Sequence, residues 1–315
     1  MIKIYRYAFQ AAERAPLNAR SKRVQFEGAL IKVGAGFGCI HPWPELGDAP
    51  LDQQLQALAE GKETPLIRRA LHCCEIDGTA RKRGENLFSD LSIPQSHYTL
   101  PPHSQDVPDG FSIVKIKGGA IGPTAERIRK LSPELGVRVD FNEALSPDEL
   151  RDFWTLLDVR RECINLLEDP TPFEESTWRE LSSSLQCEFA VDRAVEQPST
   201  AARIRVVKPA RNDPAEQAAL ADLHHQALMF TSYMDHPLGQ MFAAYEAALV
   251  QKRRPQRFLE CGLVTHHLFD DSDPFVSALG PPIPQLQPVA GTGLGFDDLL
   301  NDLPWIPLTN TTSSC

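Results

Sequence analysis

Lys117, Asp140, Glu168, Asp192 and Lys208 each close a short apolar run that reads as a β-strand. Intervals of 23, 28, 24 and 16 residues separate them, and the first three suit one strand, one helix and two loops. Three carboxylates on successive strands, with no thiolate or imidazole beside them, offer oxygen donors alone. That donor set suits a hard cation such as Mg²⁺. A lysine stands on either side of the carboxylates in chain order. One polar strand end is commonplace as a cap for the next helix, but five in series require a common site.

Such a site needs strands whose ends converge. Runs at residues 93–100, 111–117, 137–140, 164–168, 188–192, 204–208, 230–232 and 263–268 have strand character, and capped helices lie between them. The clearest helix starts after Ser146, with Pro147 at its first position, Glu149 completing a capping box, and Leu150, Phe153, Trp154 and Leu157 forming its apolar stripe. Asp213, Pro214 and Glu216 repeat the pattern. Eight β-runs alternating with helices predict an α/β fold of (β/α)8-barrel type, whose strand ends meet at one mouth.

Ahead of the barrel, strands at 2–9, 23–33 and 38–43 are followed by helical periodicity over 50–83, an α+β unit. The expected division is an N-terminal α+β capping domain at 1–88, a modified barrel at 89–274, and a proline-rich tail at 275–315 that packs back on the capping domain. The glycine-rich GAGFG, 34–38, is expected to be a mobile loop over the mouth, and with residues 14–23 to carry selectivity. GTGLG, 291–295, does not match GxGxxG and opens no helix of a βαβ unit. The interval between Asp192 and Lys208 is too short for a full helix.

A net charge of −10 argues against nucleic acid and anionic membranes as partners. The one dense basic run, Lys252, Arg253, Arg254 and Arg257, follows a helical stretch and complements its dipole. Seven cysteines without a CxxC pair read as reduced thiols in a cytoplasmic protein. His224/His225 and His266/His267 are adjacent pairs whose side chains diverge, a poor arrangement for a shared metal.

The segments IVKIKGG (113–119), VDFNEA (139–144), LLEDP (166–170), FAVD (189–192), VVKPAR (206–211) and TSYMDHPLG (231–239), in this order, resemble the signature of the enolase superfamily, within it the muconate-lactonizing-type branch. The resemblance spans nearly the whole chain. It implies that Lys117 is the general base, that Lys208 is its partner on the sixth strand, and that Asp140, Glu168 and Asp192 hold Mg²⁺. Lys115, Asn142 and Ser232 would contact substrate. It further implies a lyase acting on a small-molecule carboxylate, 2-succinyl-6-hydroxy-2,4-cyclohexadiene-1-carboxylate, which loses water in menaquinone synthesis through a metal-stabilised enediolate. A free lysine titrates near about 10.4, so the base must be brought down toward roughly 7 to 8.

Racemisation of N-acylamino acids or epimerisation of dipeptides on the same scaffold is the rival reading, since a lysine on each face also serves two-sided proton transfer. A dipeptide epimerase commonly carries an acidic anchor near the eighth strand, where Asp270, Asp271 and Asp273 stand, although helix capping explains those residues as well. A barrel that binds metal or ligand without catalysis is a third reading. In the resembling family an acidic residue usually follows the third ligand; here it is Arg193, which either pairs with Asp192 or turns away from it.

Overall fold

The computed structural model describes residues 1–17 and 21–309. Residues 18–20 of the stretch expected to carry selectivity, and the end of the tail with Cys315, lie outside the described residues.

Strands β1 (Ile2–Gln10), β2 (Gln25–Val33) and β3 (Gly36–Ile40) form an antiparallel meander, followed by α1 (Leu51–Ala59) and α2 (Pro65–Arg83). Strand alternation sends Ile4, Ile31 and Ile40 toward Leu55, Leu58 and Ile67 of the helices, and Tyr7, Phe9 and Phe26 into the larger core shared with the barrel. The sheet is therefore buried on both faces.

GAGFG is not a lid over the mouth. It forms the β2–β3 turn and the start of β3, pressed against α2. A Cβ on Gly36 would stand 1.8 Å from the carbonyl oxygen of Cys74. Gly36→Ala is expected to cost about 1–3 kcal/mol by forcing strand and helix apart, measurable as a lowered urea midpoint; an unchanged midpoint would contradict this packing.

The second sheet contains seven parallel strands: β4 (Tyr98–Thr99), β5 (Ile113–Lys117), β6 (Gly136–Asp140), β7 (Ile164–Glu168), β8 (Phe189–Val191), β9 (Ile204–Val207) and β10 (Ala227–Phe230). Neighbours in sequence are neighbours in space. The helices between them are α3 (Ile121–Lys130), α4 (Pro147–Leu157), α5 (Glu175–Leu185) and α6 (Pro214–Leu223). Ser146 and Glu149 make the expected capping box, and Asp213 caps α6. No helix lies between β8 and β9.

The eighth strand expected at 263–268 is not there. Isolated bridges join Phe258 to Leu228, Cys261 to Ser96 and Gly262 to Thr231, so a few backbone contacts span the gap between β10 and β4. The His266–Leu268 stretch is a 3₁₀ turn. Leu263, Val264 and Leu268 are buried, and a buried loop produces the same short apolar run as a strand.

Helix α7 (Pro237–Arg253) ends in the basic run, where Arg254 meets Asp222 at 3.0 Å. Beyond α8 (Pro274–Ala278) and α9 (Asp297–Asn301), β11 (Ile306–Pro307) pairs with β1, adding an edge to the N-terminal sheet. The GTGLG turn is anchored there: Arg81 pairs with Asp297 and donates to the Gly295 carbonyl at 2.8 Å. The described cysteines are free thiols. Among the described residues no helix is long and apolar enough to cross a membrane.

Candidate active site

Lys115 and Lys117 lie two residues apart on β5, so the pleat turns both to the barrel interior. Lys115 Nζ donates to Glu168 Oε2 at 2.6 Å and lies 3.0 Å from Asp140 Oδ2; Lys117 Nζ meets that same oxygen at 2.5 Å. Register explains the convergence, because Lys117 stands opposite Asp140, and Asp140 opposite Glu168, at the ends of adjacent parallel strands. Lys208, just past β9, forms an ion pair with Asp192, just past β8.

The remaining predicted residues join them. Asn142, with a left-handed φ of 50°, folds back so that its backbone N–H and side-chain amide donate to Asp140 Oδ1 at 3.0 and 2.8 Å. Ser232 Oγ is 2.6 Å from Thr265 Oγ1. Lys115, Lys117, Asn142, Lys208 and Ser232 line one small cavity of about 30 Å³; Asn142, Asp192 and Lys208 also border another of about 130 Å³.

Burial and charge compete at each group. Burial pulls the Lys117 ammonium below the ordinary lysine value, aided by Lys115 and Lys208 and opposed by Asp140 and Glu168. Burial acts on Lys115 in the same sense, but Asp140 and Glu168 outweigh it and raise that group. Burial would raise Asp140, yet Lys115 and Lys117 hold it well below the usual carboxylate range. Glu168 moves upward, through burial first and then the neighbouring Asp140 charge.

Among the described residues no three His, Cys, Asp or Glu side chains are drawn together as a formed metal site; each of the three strand-end carboxylates is held by an ammonium. The donors nevertheless fit a hard cation. All are carboxylate oxygens, and Glu168 Oε1 is buried without a hydrogen-bond partner, an acceptor with unspent capacity in an acidic cluster.

Arg193 turns from Asp192 and pairs with Glu143 at 2.6 Å. Asp169, which sequence reasoning passed over, accepts the backbone N–H groups of Asp192 and Arg193 at 3.1 and 2.9 Å, fixing the turn that carries Asp192. Its place directly after Glu168 was the available signal. Leu46, in the 3₁₀ turn Pro44–Leu46, borders both cavities, and no sequence pattern marked it. Tyr233 is a further addition: its carbonyl accepts from Trp43 Nε1 at 2.9 Å, tying the capping sheet to the barrel.

The architecture matches solved structures over nearly its full extent. The L-Ala-D/L-Glu epimerase of Bacillus subtilis aligns with a TM-score of 0.73 and 16% identity, covering 94% of this chain and 97% of that one. A dipeptide epimerase from Enterococcus faecalis, complexed with Mg and L-Leu-L-Tyr, gives 0.75 and 15%, covering 93% and 98%. A muconate lactonizing enzyme from Pseudomonas fluorescens, complexed with muconolactone, gives 0.71 and 15%, covering 94% and 95%. The fold is thus that of the muconate-lactonizing-type branch of the enolase superfamily.

Sequence similarity narrows the class. Residues 2–80 match the family described as "O-succinylbenzoate synthase, N-terminal domain". The o-succinylbenzoate synthase of Bdellovibrio bacteriovorus is 31% identical over 331 residues, covering 98% of this chain and 99% of that protein. The chain belongs to the o-succinylbenzoate synthase family and is a lyase.

Proposed function

We propose that this chain catalyses the Mg²⁺-dependent dehydration of 2-succinyl-6-hydroxy-2,4-cyclohexadiene-1-carboxylate to o-succinylbenzoate, a cytoplasmic step of menaquinone synthesis. The observation that carries the reading is the pair Lys117 and Lys208 opening onto one cavity beside Asp140, Glu168 and Asp192. Mg²⁺ held by these three carboxylates would supply positive charge to the substrate carboxylate as its α-proton leaves.

Lys117, once deprotonated, takes the proton from C1; burial pulls its pKa in the direction that this role needs. Now an ammonium, it returns that proton to the hydroxyl leaving C6. The C1–H and C6–O bonds break, a ring double bond forms and water departs. Lys208, paired with Asp192, lies against the ring face, where a cation is favoured beside the delocalised electrons. Lys115 balances Asp140 and Glu168, while Asn142 and Ser232 present polar atoms to the substrate.

Two residues of the acidic run are engaged within their own segment. Asp273 caps α8, accepting from Phe275 N at 2.9 Å, and Asp270 accepts from Ser272 N at 2.9 Å. Asp270 and Asp271 border a separate cavity of about 620 Å³. This arrangement supports the dehydratase over the dipeptide epimerase. The test is loss of the diene absorbance with Mg²⁺ present, beside α-proton exchange of an N-succinylamino acid in D₂O. Rapid dehydration is expected; exchange without dehydration would assign the racemase reaction instead.

A further inference from the structure

Three cations border the cavity of about 130 Å³ that extends from Asp192: Lys208, Arg193 and Arg211. Two have close carboxylate partners, Asp192 for Lys208 and Glu143 for Arg193. The third is held loosely. Arg211 Nη1 lies 3.6 Å from Asp48 Oδ1 and 3.2 Å from the Tyr233 hydroxyl. Asp48 has other donors, since its Oδ2 accepts from Trp43 N and from the Tyr233 hydroxyl, each at 2.8 Å. Arg211 can therefore turn to a ligand without stripping Asp48 of its hydrogen bonds.

Its position matches the shape of a dianion. Two cations approach the Tyr233 ring, Lys208 Nζ at 5.7 Å and Arg211 Cζ at 5.8 Å from its centroid. Lys208 borders this cavity and also the one that holds Lys117, whereas Arg211 borders this one and not that. Arg211 also borders a second cavity, of about 490 Å³, whose lining includes Arg68 and His72 of α2. Glu196, Asp213 and Glu216 line that second cavity as well, so its charge is mixed and the cations of the proposed grip are those of the smaller cavity.

We propose that Arg211 binds the succinyl carboxylate and so makes the site selective for dicarboxylates; this rests on the dehydratase reading above. The planar guanidinium can grip that carboxylate with two parallel N–H···O bonds, which a lysine at the same place cannot. Tyr233 forms the wall along which the succinyl methylenes run.

The experiment compares o-succinylbenzoate with its succinyl monoamide, by calorimetric binding to wild type, Arg211→Met and Arg211→Lys, without turnover. Arg211→Met is expected to weaken the dicarboxylate by about ten- to a hundredfold and the amide by less than about twofold, with Arg211→Lys between. In steady-state kinetics KM should rise while kcat stays within about threefold. Equal weakening of both compounds, or unchanged dicarboxylate binding, would overturn the assignment. Product selectivity that depends on Arg211 in a wild-type protein unable to dehydrate the diene would sink the functional reading alone.

Discussion

Lys117→Ala is expected to slow dehydration by about 10²- to 10⁴-fold, the range attributable to a positioned acid or base. The loss should lie in chemistry rather than in folding. Asp140 keeps Lys115 at 3.0 Å and both Asn142 donors after the substitution, so no buried carboxylate is abandoned. Thermal stability and Mg²⁺ titration of the variant, measured beside turnover, separate the two causes. Turnover within tenfold of wild type, with the fold intact, would remove Lys117 as the base. Lys208→Ala makes a useful companion, because Lys208 is paired with Asp192 rather than Asp140. If α-proton exchange survives in Lys208→Ala but not in Lys117→Ala, proton removal belongs to the β5 face.

The largest stability effect is expected far from the chemistry. Asp77 of α2 is fully buried and accepts from Phe37 N at 2.9 Å, Leu294 N at 2.8 Å and Arg81 Nε at 2.6 Å. One carboxylate thus joins β3, α2 and the GTGLG turn. Burial raises its pKa and Arg81 opposes that rise. Asp77→Ala leaves two backbone donors without their acceptor and costs Arg81 one of its carboxylates, for a loss of about 3–5 kcal/mol. Tm should fall by on the order of 10 °C. Asp52→Ala is the control: Asp52 pairs with Arg6 on the surface with its side chain 82% exposed, and its removal should cost within about 1 kcal/mol. Comparable melting of both variants would show that the Asp77 junction contributes little.

Much of the barrel was legible from local patterns. Runs ending at Lys117, Asp140 and Glu168 coincide with the ends of β5, β6 and β7, because strand alternation and helix capping are properties of a few consecutive residues. The capping box at Ser146 and Glu149 is of that kind. The failures have a common origin too. Residues 263–268 carry a strand's composition, but their backbone lies in a buried turn whose contacts are made elsewhere in the molecule. GAGFG has the glycines of a mobile loop, yet those glycines permit close contact with α2.

Residue type and order along the chain were enough to nominate two lysines and three carboxylates as one site, since parallel strands deliver their ends to the same mouth. They could not say that Asp140 would take both Lys115 and Lys117, that Glu168 would keep one oxygen unpartnered, or that Arg193 would choose Glu143. Nor could they bring Leu46 and Asp48 to the barrel from outside it. Those pairings join residues separated by as many as 185 positions, as in Tyr233 to Asp48. They arise when the barrel curls and the capping sheet docks. Charge partners are then selected by distance in a low-dielectric interior, a quantity that local periodicity does not encode.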